Sequence, residues 1–422
     1  MENLVLHGDF VYSKSSDDLA IYEDSYLIIE NGLVQGIYPK IPPEFAGFAF
    51  HDFVGKLITP GFVDLHTHAA QYSIKGIQMD LELLPWLNNY VFKEESKFAD
   101  EEYGAKVYGY FTDELLKSST TRAVIFASIH SKTTLNFMDM LEKSGLKCYV
   151  GKVNMDRNSP DYLCETTADS VKSTKEWIER CSAYKNTRPI LTPRFFPSCS
   201  EELLTELSKI HGETNLPVQS HLSENLSEVA WVKELCSDAK TYSEAYHKFG
   251  LFGGRGGKVV MAHCVHLEDR DIELLKENQV FVAHCPLSNM NLTSGVSPIK
   301  KLLKAGVKVG IGTDVAAGES LSVTENCKAA IQASKLRSHF LGDKFDQLTA
   351  KEAFFLATLG GGEFFGKVGS FEKGYEGDVV VFDDENLKSG RKFSPAERLE
   401  RLFYTGTYSN VFAKYVSGKK IK

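Results

Sequence analysis

The sequence has no apolar run long enough to cross a membrane as a helix. A membrane-spanning helix needs roughly 18 or more consecutive apolar residues, and the longest runs here are short pieces such as residues 123–129. The first ten residues also lack the basic and then apolar pattern of a secretory leader. These absences predict a cytoplasmic protein that has no membrane partner.

Paired cysteines and excess positive charge are also missing. Eight cysteines are spread over 422 residues and none forms a CxxC pair, which argues against a disulfide framework and against a thiolate zinc site. Lys and Arg number 48 against 56 Asp and Glu, so the formal net charge is −8. Because nucleic-acid binding needs clustered basic residues, we expect a small-molecule partner and no nucleic acid.

Both ends of the chain have the pattern of short β-strands. Asn31-Gly32 separates two apolar runs, and this pair favours a hairpin because both central residues of a type I′ turn need positive φ. Near the other end, the apolar runs 377–382 and 411–416 precede Ser417-Gly418. We therefore predict one small β domain built from residues 1–60 and 369–422.

The middle of the chain, residues 61–368, repeats an alternation of short apolar strands and amphipathic helices. Eight such units in series predict a parallel (β/α)8 barrel with its active face at the carboxyl ends of the strands. The first crossover, 68–120, is longer than one helix requires, and we expect it to cover the substrate. The predicted strands are 61–68, 121–128, 147–155, 189–195, 217–221, 258–265, 279–285 and 308–314, and the predicted helices include 201–211, 225–236 and 269–277.

Potential metal ligands lie at the ends of several predicted strands. His66 and His68 are two apart on the first strand and so face one side. His221, His263 and Asp314 end the fifth, sixth and eighth strands, and strand ends converge at a barrel mouth. Imidazoles and a carboxylate suit a divalent ion such as zinc. The remaining histidines are interpreted as structural or solvated, with His284 near enough to a strand end to support the site or pack beside it.

The position of Glu224 in the sequence is equally consistent with two roles. Three residues past His221, its carboxylate could move protons between water and a leaving group. It could equally be an acid at the start of the helix that follows, where negative charge is favoured.

Several motifs resemble those of the amidohydrolase superfamily, and of its aminohydrolase branch in particular. They extend across the whole chain and imply the TIM-like barrel with a small β-sandwich domain from both termini. The motifs are PGFVDLHTH at 60–68, SHLSE at 220–224, MAHC at 261–264, HCPLSN at 284–289 and GTD at 312–314.

Within that branch, four further segments resemble the guanine deaminases: HAAQY at 68–72, VGKVNMD at 150–156, TPRF at 192–195 and ATLGG at 357–361. The resemblance implies hydrolysis of guanine to xanthine and ammonia by a metal-activated hydroxide, in a homodimer. It implies one metal held by His66, His68, His221 and Asp314. Catalysis is assigned to Glu224, Asp314 and His263, with Glu224 and Asp314 moving protons. The substrate-binding residues would be His68, Gln71, Arg194, Phe195, His221, Glu224 and Asp314.

The metal count follows from the fourth strand. Binuclear members of the superfamily bridge two ions with a carboxylated lysine there, whereas residues 189–195 contain no lysine. We therefore expect one divalent ion per chain, with zinc the better fit and iron(II) the alternative.

Two other functions are consistent with parts of this pattern. A related hydrolase could act on cytosine, a triazine or an adenosine derivative, although Arg194 and Gln71 favour a carbonyl-bearing purine. A non-catalytic scaffold on the same fold is the second possibility, but such proteins typically lack the metal ligands that this chain keeps.

Overall fold

The computed structural model describes residues 3–253, 257–342 and 347–422. Residues 1–2, 254–256 and 343–346 belong to the predicted domain ranges but lie outside the described residues. The domain limits at 60/61 and 368/369 stay predictions.

The described residues contain seventeen strands and fourteen α-helices. The strands are β1 Leu4–Ser13, β2 Leu19–Glu30, β3 Leu33–Tyr38, β4 Ala49–Pro60, β5 Phe62–His68, β6 Thr120–Phe126, β7 Lys147–Gly151, β8 Val153–Asn154, β9 Thr187–Pro189, β10 Thr192–Pro193, β11 Val218–Leu222, β12 Val259–His263, β13 Phe281–His284, β14 Lys308–Ile311, β15 Val379–Phe382, β16 Val411–Val416 and β17 Lys419–Lys420.

The helices are α1 Leu83–Trp86, α2 Phe92–Ser96, α3 Glu101–Lys117, α4 Ser131–Ser144, α5 Thr167–Cys181, α6 Glu201–Thr214, α7 Leu226–Leu235, α8 Tyr242–Lys248, α9 Asp269–Glu277, α10 Pro286–Asn291, α11 Ile299–Ala305, α12 Val323–Leu341, α13 Ala350–Phe355 and α14 Pro395–Thr405. A π-helical turn, Leu87–Val91, joins α1 to α2.

The two ends of the chain build one sheet, in the order β17-β16-β15-β4-β1-β2-β3. β4 pairs in parallel with β1 and antiparallel with β15, so an N-terminal and a C-terminal strand meet there. The predicted hairpin is confirmed: Asn31 and Gly32 have φ values of 52° and 81° between β2 and β3. Residues from both ends, including Phe10, Leu27, Val379 and Tyr415, form a common apolar core.

The middle of the chain forms the barrel. β5, β6, β7 and β9 pair in parallel, as do β11 through β14, and a bridge from Leu191 to Val218 joins the two groups. The ring closes where Asp314 N–H donates to the His66 carbonyl at 2.8 Å. Leu65, Val124 and Phe281 belong to an apolar cluster of alternate strand residues. The fold is the predicted α/β fold, a TIM-like barrel with a small β-sandwich domain from both termini.

The third and fourth predicted strands are each broken into two pieces. Predicted strand 147–155 is β7 followed by β8, and predicted strand 189–195 begins earlier, as β9, and resumes as β10. Pro189 and Pro193 lack the N–H that a continuous ladder needs, so the fourth strand cannot pair along its whole length. The break leaves the end of this strand irregular at Arg194, beside the barrel mouth.

No helix in the described part of the chain is long and apolar enough to cross a membrane. The eight cysteines are free, and seven of them are buried.

Candidate metal centre and active site

Three imidazoles from two strands meet at the barrel mouth. His66 and His68 lie on β5 and His221 on β11. The Nε2 atom of His68 lies 3.2 Å from Nε2 of His66 and 3.2 Å from Nε2 of His221. Three ring nitrogens at this spacing point at one position, as the ligands of a single ion would.

Asp314 brings a carboxylate to the same position. Its Oδ1 lies 3.1 Å from Nε2 of His66 and 3.4 Å from Nε2 of His68. Ligand atoms that each sit about 2.0–2.2 Å from one zinc ion are separated from one another by roughly 3–3.5 Å. The donor set is therefore the right type and spacing for one divalent ion. Asp314 lies three residues past the end of β14 rather than on the strand.

The protonation of these groups also suits metal binding. Burial holds the pKa values of His68 and His221 well below the usual value, so both rings are neutral. Nδ1 of His221 donates to the Arg194 carbonyl at 2.5 Å, which leaves the lone pair on Nε2. Burial alone would raise the pKa of Asp314, but the neighbouring His66 lowers it to about 2. The site offers neutral nitrogens and an ionised oxygen.

Two residues behind the ligands fix their positions. Asp64 accepts from the His66 N–H at 3.1 Å and from the Thr313 N–H at 3.0 Å, which ties the first strand to the segment that carries Asp314. Burial raises the pKa of Asp64 to about 6. Gly312 allows the close approach: a Cβ there would lie 2.9 Å from Cβ of His66 and 2.8 Å from Sγ of Cys285.

Strained backbone accompanies the strand ends. Ser223, His263, Cys264 and Asp314 have φ values of 51°, 72°, 51° and 49°. Side chains rarely adopt this left-handed conformation, and each instance costs about 1–3 kcal/mol, so it persists where surrounding contacts enforce it. Here it turns the chain sharply at the mouth of the barrel.

Glu224 lies beside the candidate metal ligands. Its Oε2 lies 3.3 Å from Nε2 of His263, and Oδ2 of Asp314 lies 3.8 Å from the same nitrogen. Nδ1 of His263 pairs with the Asn289 amide oxygen at 2.9 Å. Burial, and then the charge of Asp314, raise the pKa of Glu224 well above its usual value. A buried carboxyl of this kind can hold a proton and release it again.

A small cavity lies beside these groups. Gln71, Arg194 and Phe195 line it together with His68, His221, Glu224, His263 and Asp314, so the predicted substrate-binding and catalytic residues share one space. His66 lies behind the cavity wall. Gln71 and Arg194 are 3% and 2% exposed, respectively, so the polar side chains that line the cavity have little contact with bulk water.

The long first crossover lines one side of the cavity, in keeping with the expectation that it covers the substrate. Leu83 and Trp86 of α1 and Leu87 of the π-helical turn line it, opposite Leu292 and Ala317. The indole N–H of Trp86 donates to the Ile77 carbonyl at 3.1 Å, which fixes the ring with its apolar body toward the cavity. Such walls exclude water from a bound planar base.

Three further buried residues lie near the cavity, and the sequence interpretation gave none of them a role. Cys285 places its sulfur within 4.8 Å of donor atoms of His66, His263 and Asp314, but burial raises the pKa of its thiol well above the usual value, and a protonated thiol is a poor ligand. Glu228 supports Glu224, and Glu95 contacts Gln71 and Arg194. The HCPLSN motif signalled Cys285, whereas no spacing rule points to Glu95.

His284 lies away from the ligand set. It ends β13, is 1% exposed, and lines a cavity other than the one that contains the candidate ligands. Burial lowers its pKa to about 3, so the ring is neutral. This position is consistent with the predicted packing role.

Comparison with known proteins identifies the family. A profile described as "Amidohydrolase family" matches residues 57–421. The chain belongs to the amidohydrolase family. Two relatives are named guanine deaminase. The one from Dictyostelium discoideum is 38% identical over 88% of this chain and 84% of the relative. The one from Escherichia coli strain K12 is 34% identical over 96% of this chain and 92% of the relative.

Solved structures agree with these sequence relatives. A guanine deaminase from C. acetobutylicum with guanine bound in its active site superposes with a TM-score of 0.97 at 45% identity, over 100% of both chains. The E. coli guanine deaminase superposes with a TM-score of 0.90 at 33% identity, over 99% of both. The chain is therefore similar to guanine deaminases over its whole length, in sequence and in fold.

Proposed function

We propose that this protein hydrolyses guanine to xanthine and ammonia. The observation that carries the proposal is the convergence of Gln71, Arg194 and Glu224 in one cavity next to three imidazoles and a carboxylate. The full-length similarity to guanine deaminases, one of them with guanine bound, supports the same substrate.

One divalent ion would complete the site. His66, His68, His221 and Asp314 would hold it, and zinc fits this donor set best, with iron(II) the alternative. When bound, such an ion lowers the pKa of water from 15.7 to about 7 and so supplies hydroxide at neutral pH. Residues 187–195 contain no lysine that could be carboxylated to bridge a second ion.

Glu224 and Asp314 move the protons. Glu224 takes one proton from the attacking water and delivers it to N3 of guanine as the water oxygen bonds to C2. Asp314 accepts the second water proton and passes it on to the amino group. The bond between C2 and the exocyclic amino nitrogen then breaks, ammonia leaves, and xanthine remains. His263, 3.3 Å from Glu224, orients the water. General acid–base catalysis of this type contributes about 10²–10⁴-fold.

Arg194, Gln71 and Phe195 hold the base. The guanidinium of Arg194 presents planar donors that suit the carbonyl oxygen O6, and the Gln71 amide reaches the adjacent edge. Phe195 packs edge-on against Trp231, with ring centroids 6.2 Å apart, and forms an aromatic wall of the cavity. Arg194 also forms an ion pair with Glu95, and both side chains of this pair are buried.

Ammonia release from a purine panel tests the proposal. Guanine should be the preferred substrate, and 2-aminopurine, which keeps the reacting amino group but lacks O6, should be far slower. Sites built to donate to a missing acceptor discriminate by about 10⁴–10⁵. Arg194→Ala should reduce the difference in kcat/KM between guanine and 2-aminopurine without loss of metal. Arg194→Lys should restore only part of that difference.

Equal kcat/KM for guanine and 2-aminopurine in the unmodified enzyme would contradict the assignment of O6. Preference for cytosine, a triazine or an adenosine derivative would place the protein elsewhere in the family. The homodimer and the cytoplasmic location stay predictions, and the mass of the protein in solution tests the first of them.

A further inference from the structure

Gln71 and Arg194 share a buried carboxylate, that of Glu95. Glu95 is 1% exposed and lies on α2, in the long first crossover. Its Oε1 accepts from Nε2 of Gln71 at 3.0 Å, and its Oε2 accepts from Nη1 of Arg194. One side chain therefore holds both residues that are proposed to bind the base.

The contact with Glu95 fixes the direction of the Gln71 amide. An ionised carboxylate can only accept hydrogen bonds, so Gln71 must turn its nitrogen toward it. The amide oxygen then faces the Ala316 N–H, 3.4 Å away. The amide nitrogen carries a second hydrogen, so Gln71 can offer the cavity a donor, whereas its oxygen is turned to the backbone.

The same helix fixes the plane of the Arg194 guanidinium. The Phe92 ring centroid lies 5.2 Å from Cζ of Arg194, and Phe92 and Glu95 are three residues apart on α2, so they share a helix face. Phe92 contacts the guanidinium from one face and Glu95 binds its edge at Nη1. The guanidinium has five N–H donors, and those that do not face Glu95 remain for a ligand.

We infer that Glu95 is a positioning residue that makes this cavity specific for a carbonyl-bearing base. This inference rests on the proposed function. With Glu95 in place, Gln71 and Arg194 both present donors, and two donors select an acceptor such as O6. Without the carboxylate, the Gln71 amide can turn and present its oxygen, which matches an amino group instead.

The experiment compares guanine with 2,6-diaminopurine, which keeps the reacting 2-amino group and replaces O6 by an amino group. The substrate ratio is kcat/KM for guanine divided by kcat/KM for 2,6-diaminopurine. We expect Glu95→Gln to lower this ratio at least ~10-fold, mostly through a higher KM for guanine. Metal content should not change, because Glu95 contacts none of the metal ligands' side chains in the described structure.

Glu94→Gln is the matched control. Glu94 is the adjacent residue on α2, is also buried, and binds Lys97 and Tyr103 rather than a residue of the cavity. Its replacement should change thermal stability and leave the substrate ratio as it is. A ratio that falls equally in both variants would assign the effect to damage of the helix and overturn the inference.

Glu95→Asp tests the same point if Glu95→Gln does not fold. Aspartate keeps the charge but withdraws the oxygens by one carbon–carbon bond, so the ratio should fall at least ~3-fold. An unchanged ratio in a folded Glu95 variant, whatever the loss of activity, would overturn the inference. Failure of the unmodified enzyme to deaminate guanine would instead reject the proposed function.

Discussion

At the scale of single residues, Glu224 is separate from the cap of the helix that follows it. Asn225 caps α7 by accepting from the Ser227 N–H at 2.9 Å. Oε2 of Glu228 accepts from the backbone N–H groups of Glu224 and Asn225 at 2.9 and 3.3 Å, respectively. Since the cap is complete without it, the Glu224 side chain faces the cavity, which favours the proton-transfer role over the helix-start role.

Replacement of Glu224 by glutamine tests that role. Glu224→Gln keeps the shape but removes the base, so kcat should fall at least ~10²-fold while the metal content stays normal. Steady-state kinetics and elemental analysis measure the two quantities. Glu268→Gln is the control, because Glu268 is an acid at the start of a helix, in the N-cap position of α9. Loss of metal would make Glu224 a ligand, and near-normal turnover would restore the helix-start interpretation.

At the scale of elements, buried ion pairs join the barrel to the small β domain. Arg122 on β6 donates from Nε to Asp378 at 2.7 Å and from Nη2 to Glu376 at 2.7 Å. Lys147 on β7 reaches Glu376 at 2.6 Å, and the Ser417 N–H donates to Asp378 at 2.8 Å. Two barrel strands are thus linked directly to the residues before β15, and through Asp378 to the residue after β16.

Loss of Arg122 should be costly because Asp378 is fully buried. Arg122→Ala leaves that carboxylate without its main partner, and breaking a buried pair in this way costs about 3–5 kcal/mol. Denaturant unfolding measures the change. Lys147→Ala removes a cation whose side chain is 25% exposed and should cost about 1 kcal/mol or less. Equal costs for the two variants would show that burial is not what makes the Arg122 pair important.

Glu376 should make the stability of this junction depend on pH. Burial opposes ionisation, but Arg122 outweighs it and lowers the pKa of Glu376 from 4.5 to about 2. A carboxyl group whose pKa is lower in the folded than in the unfolded chain stabilises the fold at pH values above its unfolded-state pKa. That stabilisation is lost as the pH falls from about 4.5 to about 2. After allowance for partial exposure, the contribution is about 1–3 kcal/mol.

The comparison of Glu376→Gln with the unmodified protein checks this dependence. Their difference in unfolding free energy should be constant above about pH 5 and shrink toward pH 2. Glu206→Gln, at a half-buried acid on α6 that pairs with the exposed Lys209, should change stability little at any pH. A difference that stayed constant down to pH 2 would mean that Glu376 does not titrate with the fold.

At the scale of the whole molecule, the metal ligands connect distant parts of the barrel. His66 and His68 lie on its first strand, His221 on its fifth, and Asp314 just past its eighth. An ion held by all four binds only the folded chain, so it stabilises the fold by mass action. The barrel and the ion are expected to reinforce one another.

Elemental analysis should find one equivalent of zinc or iron per chain. His66→Ala should lose most of it, and removal of the ion with a chelator should lower the Tm by at least about 5 °C. His247→Ala is the control, since His247 lies on α8, away from the ligand set. Two tightly held ions per chain would contradict the single-metal site.

The sequence alone determined the fold class and the candidate ligands. Both follow from local patterns: the alternation of strands and helices predicts a barrel, and HTH, SHLSE and GTD mark strand ends that any such barrel brings together. The hairpin at Asn31-Gly32 is equally local, because the turn depends on two residues with positive φ.

Only the tertiary structure decided the contacts that lie across the chain. Glu95 is 99 residues from Arg194, and Arg122 is 256 residues from Asp378. An isolated Glu in a helix or an Arg in a strand carries no periodic signal of its partner, because the partner is set by how whole elements pack. The broken fourth strand is different, because Pro189 and Pro193 are visible in the sequence; only packing decided that Arg194, which follows them, lies beside Glu95.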